Sequence, residues 1–197
     1  MIIHKEGIYM NIIFVDFDGV LDTHYYKTYE QMEEKIKILA DICHTYNAKV
    51  VIETSCKNAI DEETLEIDED ATWVRFMIET MKKYRIEVYG RTPNVRKYDE
   101  HYHNSYTSMW KEYEIRLYLM RHPEIEHYCI IDDDDLASMH RRSDLDMVRS
   151  HLVSTKDFLD DNKEDEGLQD YHKEEVGNIL QKDNDIKRLL RKYKNIE

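Results

Sequence analysis

The feature that most constrains the fold is a short apolar run that ends in two aspartates. Residues 12–15, IIFV, are apolar without alternation, and Asp16, Asp18 and Gly19 follow directly. Such a run is typical of a strand that is buried on both faces of a parallel sheet. In open α/β sheets, ligands bind beyond the carboxyl ends of the strands, which is where this pattern places the two aspartates. The sequence therefore predicts an α/β fold with a functional site at the end of its first strand.

The spacing of the two aspartates predicts a divalent cation. Residues i and i+2 of an extended chain point the same way, so the carboxylates of Asp16 and Asp18 are expected to converge. Two bare carboxylates about 4 Å apart repel by roughly 4 kcal/mol at an effective dielectric near 20, so a positive charge is expected between them. Mg²⁺ fits, because it binds one or two carboxylates and keeps water or phosphate oxygens as its other ligands. Gly19 allows a tight turn in which a ligand approaches the backbone amides.

Two further predicted strands end in polar or acidic residues. The strand over 49–52 is followed by Thr54 and Ser55, whose hydroxyls and backbone amides suit phosphate. The sequence does not separate the two hydroxyls, and either could instead cap a helix. The strand over 127–131 ends in four consecutive acids, 132–135, which repel one another unless they are solvated or bind a cation. Together with the first aspartate pair, this acidic run predicts a metal site.

These motifs together resemble the haloacid dehalogenase (HAD) superfamily, which consists mostly of Mg²⁺-dependent phosphatases and phosphotransferases. DFDGVLDT at 16–23 is similar to its first motif, VVIETSCK at 50–57 to its second, and CIIDD at 129–133 to its fourth. The resemblance implies that Asp16 attacks phosphorus, and that Asp18 protonates the leaving group and later activates water. It implies a three-layer Rossmann-like domain with a mostly parallel five-stranded sheet of order 3-2-1-4-5.

The resemblance also implies which residues bind the phosphoryl group. Thr54 and Ser55 correspond to the hydroxyl of the second motif, and the Gly19 turn lies beside them. The third motif, a basic residue at the start of the helix before the fourth strand, matches Lys111, which opens a predicted helix over 111–120. Lys57, Arg91 and Lys97 are the alternatives to Lys111. Cys56 departs from the Trp or Pro that relatives with a similar loop often have.

Mg²⁺ is the cofactor that the resemblance implies. Its ligands would be the Asp16 carboxylate, the Asp18 backbone carbonyl and Asp132, with Asp133 as a further ligand or as the group that holds a bound water. Asp134 and Asp135 are expected to face solvent.

The rest of the chain predicts the elements that complete the sheet and cover it. Apolar residues recur at helical spacing over 28–46, 73–84 and 169–196, the last of which would be one C-terminal helix. Short strands are predicted over 86–89 and 151–154, and the sequence GRTP over 90–93 predicts a turn. About 25 residues separate the end of the first aspartate motif, at Thr23, from the second strand. This gap has room for a crossover helix, so no large cap domain is expected and the site is predicted to be open.

Length and composition predict one domain over residues 1–197, with residues 1–10 as an uncertain extension that is either an extra edge strand or an upstream start before Met10. The 28 basic and 42 acidic residues give a net charge of −14, which disfavours tight sequence-independent binding to nucleic acids. Three cysteines without framework spacing, no long apolar run and no leader pattern predict a cytoplasmic protein that does not bind membranes and needs no obligate protein partner.

The absence of a large cap, the GRTP turn and the Gly167-Leu168 pair narrow the resemblance to HAD domains of RNA-repair and bacteriophage proteins. The predicted function is a Mg²⁺-dependent phosphohydrolase that forms an aspartyl-phosphate on a nucleotide or a nucleic-acid phosphate end. Two alternatives remain: a non-catalytic domain that binds Mg²⁺ and phosphate, and a phosphotransferase on the same fold. The aromatic and basic residues over 94–110 either stack bases or form a solvated loop.

Overall fold

The computed structural model describes residues 10–23, 28–95, 109–134, 146–156, 166–182, 184 and 186. Five parallel strands form one sheet in the order β3-β2-β1-β4-β5. The strands are β1 (Met10–Val15), β2 (Ala48–Ile52), β3 (Val88–Arg91), β4 (Ile125–Asp132) and β5 (Leu152–Ser154). This confirms the predicted Rossmann-like sheet, and every pair of neighbouring strands is parallel. The strand order reverses between β1 and β4, the position at which such sheets bind ligands.

Helices cover both faces of the sheet. They are α1 (Tyr29–Tyr46), α2 (Thr72–Lys83), α3 (Met109–Arg121), α4 (Asp146–Arg149) and α5 (His172–Leu180), with a short 3₁₀ helix at Ser55–Ala59. Side chains of α1, α2 and α5 pack on one face, and those of α3 and α4 on the other. The predicted gap between the first two strands is crossed by α1, as expected. None of the described helices has the length and apolar character that crossing a membrane requires.

Strand β1 is buried on both faces, as its apolar run predicts. Ile13 and Val15 belong to the core under α1, α2 and α5, while Ile12 and Phe14 belong to the core under α3 and α4. All four side chains are inaccessible to solvent. β1 also begins at Met10, so the uncertain N-terminal extension covers residues 1–9, which lie outside the described residues.

The predicted strand over 86–89 is displaced by two residues, because β3 runs from Val88 to Arg91. The glycine and arginine of the predicted GRTP turn therefore lie in the strand, where Gly90 pairs with Val51 and Arg91 with Ile52. A Cβ at position 90 would lie 2.5 Å from the Tyr118 hydroxyl. Glycine is therefore required for the close approach of α3 to this strand, and it does not mark a turn.

The single C-terminal helix predicted over 169–196 is also wrong in its extent, since α5 ends at Leu180. Val176 and Leu180 pack on the face of α1 and α2, but Ile186 packs on the opposite face, against the core of α3 and α4. Between these faces the side chain of Asn184 donates a hydrogen bond to the carbonyl of Ile125 at 3.1 Å. The chain has to leave the helix in order to pass around the sheet.

Several sequence predictions lie outside the described residues. They concern Asp135, Lys97, most of the aromatic and basic segment over 94–110, and positions 183, 185 and 187–196 of the predicted C-terminal helix.

Candidate active site

The carboxyl ends of β1, β2 and β4 meet at one edge of the sheet. The backbone N–H of Asp16 donates to the carbonyl of Ile131 at 3.0 Å, and that of Glu53 donates to Val15 at 2.9 Å. The strand ladders therefore continue into the residues that follow the strands, which fixes their backbone. Asp16 is consequently held next to the end of β4, where Asp132 is the last residue of the strand.

Lys111 reaches this edge from the first turn of α3. Its ammonium contacts the carboxylate of Asp16 and lies 3.0 and 2.9 Å from the two carboxylate oxygens of Asp132. All three side chains are buried. Burial alone would lower the pKa of Lys111, but the charges of Asp132 and Asp16 outweigh it and raise the pKa above its ordinary value. Lys111 therefore stays protonated and neutralises part of the acidic charge.

Within the described part of the chain, Lys111 is the cation that contacts Asp16 and Asp132, so acidic charge remains at this edge. Burial raises the pKa of Asp132 well above its ordinary value, against the opposing effect of Lys111. Burial and the neighbouring Asp16 charge raise the pKa of Asp133 to about 6. Three carboxylates that share one ammonium in a largely buried site favour a further cation, which would stabilise their charged forms.

The residues fit Mg²⁺ as that cation. Asp16, Asp132 and Asp133 each offer a carboxylate oxygen, and the three oxygens lie within 4.8 Å of one another. An all-oxygen set with few carboxylates and access for water or phosphate is the type of site that Mg²⁺ prefers. The carboxylate of Asp18 is not part of this cluster, and the predicted ligand from Asp18 is its backbone carbonyl.

Asp18 has a different environment from Asp16. Its half-buried carboxylate accepts a hydrogen bond from the Ser55 hydroxyl at 3.3 Å and lies 3.8 Å from the Cys56 sulfur. It therefore faces the end of β2, where Thr54 is buried and Ser55 is partly exposed. The structure brings the two aspartates, the two hydroxyls and Lys111 to one edge of the sheet, as the motifs predict. Their chemical roles stay predictions.

Gly19 is required by the close packing of the turn after β1. It adopts φ +72°, and a Cβ at this position would overlap the carboxylate of Asp133. Its N–H donates to the carbonyl of Asp22 at 2.7 Å, and its carbonyl accepts from the Thr155 hydroxyl at 3.0 Å. Because Gly19 has no side chain, Asp133 can approach the turn. The predicted contact between Gly19 and a phosphate stays a prediction.

Sequence reasoning missed a buried ionic cluster beside the site. The ammonium of Lys57 lies 3.0 Å from both carboxylate oxygens of Glu53 and 3.0 Å from the Thr92 hydroxyl, and it also contacts the carboxylate of Glu114. All four side chains are buried. The four-residue spacing of Glu53 and Lys57 is a signal for an ion pair, but the sequence does not show that it is buried or that α3 supplies a second carboxylate.

The described alternatives to Lys111 have other partners. Lys57 is engaged by Glu53 and Glu114, and the Arg91 guanidinium bonds the carbonyls of Ile60 and Thr92. Lys111 contacts the aspartates. Lys97 lies outside the described residues.

Glu53 predicts a measurable pH dependence of stability. Burial, with the added repulsion of Glu114, raises its pKa to about 7 from an ordinary value of 4.5, although Lys57 opposes the shift. Between these values the folded protein holds a proton that the unfolded chain releases, so stability falls as pH rises through this window. The shift corresponds to at most about 3 kcal/mol. Urea unfolding from pH 4.5 to 8 should show a smaller fall for Glu53→Gln than for the wild type, whereas parallel curves would contradict the assignment.

The parallel sheet of order 3-2-1-4-5 and the acids at the ends of β1 and β4 are those of a Rossmann-like, HAD-type domain. Over residues 12–172 the chain matches a family described as the HAD domain in Swiss Army Knife RNA repair proteins, and it belongs to this family. No curated protein and no solved structure matches the chain. The family confirms the resemblance seen in the motifs and supports phosphohydrolase chemistry at this edge of the sheet.

Proposed function

We propose that the protein is a Mg²⁺-dependent phosphohydrolase that acts on a nucleotide or a nucleic-acid phosphate end through an aspartyl-phosphate intermediate. The observation that carries this proposal is the buried Asp16, which Lys111 contacts and which shares an acidic cluster with Asp132 and Asp133. A carboxylate in this position is oriented by a fixed cation and lies at the strand edge where ligands bind.

Asp16, Asp132 and Asp133, with the Asp18 carbonyl, would hold the ion. When bound, Mg²⁺ neutralises charge on the phosphoryl oxygens. Lys111 supplies a second positive charge to the same group and orients the nucleophile.

The reaction then uses the chain's own residues in two steps. A carboxylate oxygen of Asp16 forms a bond to phosphorus while the bond to the leaving oxygen breaks, and Asp18 gives its proton to that oxygen. In the second step Asp18 takes a proton from water, whose oxygen attacks phosphorus and releases the Asp16 carboxylate. Thr54 and Ser55 donate hydrogen bonds to the transferring group through hydroxyls or backbone amides. The water proton remains on Asp18, which is ready for the next turnover.

The family description supports the substrate class, because it places such domains in RNA repair proteins. A phosphohydrolase domain in such a protein would act on a phosphorylated nucleic-acid end. In this chain the ammonium of Lys111 beside Asp16 is the group that suits a phosphoryl oxygen.

Removal of the metal should abolish turnover. Phosphate release is measured with nucleoside 5′- and 3′-monophosphates, sugar phosphates and phosphorylated oligonucleotides, with Mg²⁺ or with excess EDTA. We expect release with Mg²⁺, loss with EDTA and recovery when Mg²⁺ is restored, because the cluster of Asp16, Asp132 and Asp133 is left with excess negative charge. Undiminished release in EDTA would contradict the proposed cofactor, and no release from any substrate would contradict the function.

Replacing Asp18 by asparagine should affect substrates according to their leaving group. The variant keeps the size of the side chain but cannot donate the proton, so release from an alkyl phosphate should fall by about 10²- to 10⁴-fold. p-Nitrophenyl phosphate should be less affected in the first step, because nitrophenolate leaves without a proton. The measurement is the single-turnover rate at which each substrate releases its leaving group. An equal fall in this rate for the two substrates would count against Asp18 as the general acid.

A further inference from the structure

A small cleft opens beside the proposed reaction centre, at the ends of β2 and β3. Thr54, Ser55 and Lys111 form its near side, and Asn58 and Asn94 form its far side. The space inside the cleft, including its open mouth, is about 240 Å³. Much of this space is the open mouth, and only about one water-sized group fits within the cleft itself, so the cleft would accept a single small group such as a hydroxyl next to a bound phosphate.

The floor of this cleft has no net positive charge. Glu53 and Lys57 line it, and the Lys57 ammonium is paired with the carboxylates of both Glu53 and Glu114. One ammonium facing two carboxylates leaves the floor neutral if one carboxylate is protonated and negative if neither is. A second phosphate group would therefore gain no attraction here, and the group that enters the cleft is expected to be neutral.

The far side of the cleft offers uncharged hydrogen-bonding groups. The side-chain N–H of Asn94 donates to the side-chain oxygen of Asn58, so the two carboxamides lie side by side. A carboxamide can both donate and accept hydrogen bonds, and a hydroxyl can also do both. The pair therefore suits a sugar hydroxyl better than a charged group.

The two asparagines lie on segments that the buried cluster joins. Asn58 follows Lys57 in the 3₁₀ helix, and Asn94 lies two residues after Thr92, to which the Lys57 ammonium is bonded at 3.0 Å. The N–H of Thr92 also donates to the carbonyl of Ile52 at 3.0 Å, which ties this segment to β2. A pair that is held in place before binding loses little conformational entropy when a ligand arrives.

We propose that Asn58 and Asn94 form a subsite for the sugar hydroxyl adjacent to the carbon that bears the phosphate. This inference rests on the proposed function, because Thr54, Ser55 and Lys111 are taken to bind the phosphoryl group. The cleft is small, so the hydroxyl has to be a close neighbour of the phosphate, as the 2′-hydroxyl is beside a 3′-phosphate. The 2′-hydroxyl distinguishes RNA from DNA, so the subsite makes the enzyme selective for a ribose end.

The test compares two oligonucleotides that carry a 3′-phosphate and differ in one atom, with ribose or deoxyribose as the terminal sugar. The wild type should process the ribose end with a kcat/KM about 10-fold higher, the size expected for one or two hydrogen bonds. The Asn58→Ala, Asn94→Ala double variant should lose this preference. Its turnover of p-nitrophenyl phosphate, which has no sugar, should match that of the wild type.

Controls separate this inference from the proposed function. Asn178→Ala changes an exposed asparagine of α5 and should keep the preference for ribose. Equal rates for the two oligonucleotides in the wild type, with p-nitrophenyl phosphate still hydrolysed, would overturn the subsite but not the phosphohydrolase. An equal loss on both oligonucleotides and p-nitrophenyl phosphate in the double variant, or a lowered Tm, would show a structural role and also overturn it. No turnover of any substrate by the wild type would refute the proposed function itself.

Discussion

Replacing Asp16 by asparagine is expected to reduce phosphate release by about 10⁴-fold or more, since removal of a nucleophile typically has effects of this size. The asparagine amide keeps the shape of the side chain but is a poor nucleophile toward phosphorus. It also removes one of the three carboxylates of the acidic cluster, so the affinity for Mg²⁺ should fall. Turnover is therefore measured at saturating Mg²⁺, which separates the loss of the nucleophile from the loss of metal binding.

The fold of this variant should be preserved. Lys111 keeps its ion pair with Asp132 at 2.9 Å, so no buried ammonium is left without a partner. Asp41→Asn is the matched control, because it makes the same substitution at an exposed position of α1 and should leave turnover unchanged. The wild type should also form a phosphorylated protein with a rapidly reacting substrate, and the Asp16 variant should not. Turnover of Asp16→Asn within 10-fold of the wild type would refute the covalent route.

The centre of the fold and of the candidate site could be predicted from the sequence, because both depend on local patterns. The apolar run before Asp16 requires a strand that is buried on both faces, and the side chains of Ile12 and Ile13 are indeed inaccessible on opposite faces. The apolar residues at helical spacing over 28–46 likewise predict that one face of α1 is buried, and the burial of Met32 and Ile36 confirms this. Such patterns predict the structure well because the burial of these apolar residues is also what stabilises the fold.

The parts that could not be predicted depend on contacts between distant segments. Gly90 has the sequence signature of a turn, but its pairing with β2 and the approach of Tyr118 place it in a strand. The predicted continuation of the C-terminal helix was wrong for a similar reason, because Asn184 donates a hydrogen bond to Ile125, the first residue of β4. Local propensity is a weak guide wherever tertiary contacts favour a different backbone conformation.

Within the site, the partners of charged residues also could not be predicted from the sequence. Lys111 and Lys57 are both lysines close to hydroxyl or acidic motifs, and spacing alone does not show which one faces Asp16. The structure resolves this because Glu53 and Glu114 engage Lys57, whereas Asp16 and Asp132 engage Lys111. Each ammonium is thus held by two buried carboxylates. For Lys57, one carboxylate follows a strand and the other belongs to α3. For Lys111, both carboxylates lie at strand ends.

Replacing Lys57 by methionine should destabilise the protein by about 3–5 kcal/mol, the range for removal of one partner from a buried ion pair. The change leaves the carboxylates of Glu53 and Glu114 facing each other in a buried region without their shared cation. This is a large part of the 5–15 kcal/mol that stabilises a typical domain. The measurement is urea unfolding at pH 7. The loss should be smaller at pH 5, because protonation of the carboxylates relieves their repulsion.

The cause of this loss can be separated from a general effect of removing a lysine. Lys49→Met removes a more exposed lysine that pairs with Glu87, and it should change stability by less than about 1 kcal/mol. Adding Glu53→Gln to Lys57→Met removes one of the two facing carboxylates and should restore part of the lost stability. If the double variant is as unstable as Lys57→Met, and the loss does not shrink at low pH, the repulsion between carboxylates is not its cause. A restored double variant would show that Lys57 stabilises the fold by neutralising Glu53 after β2 and Glu114 of α3, the helix that also carries Lys111.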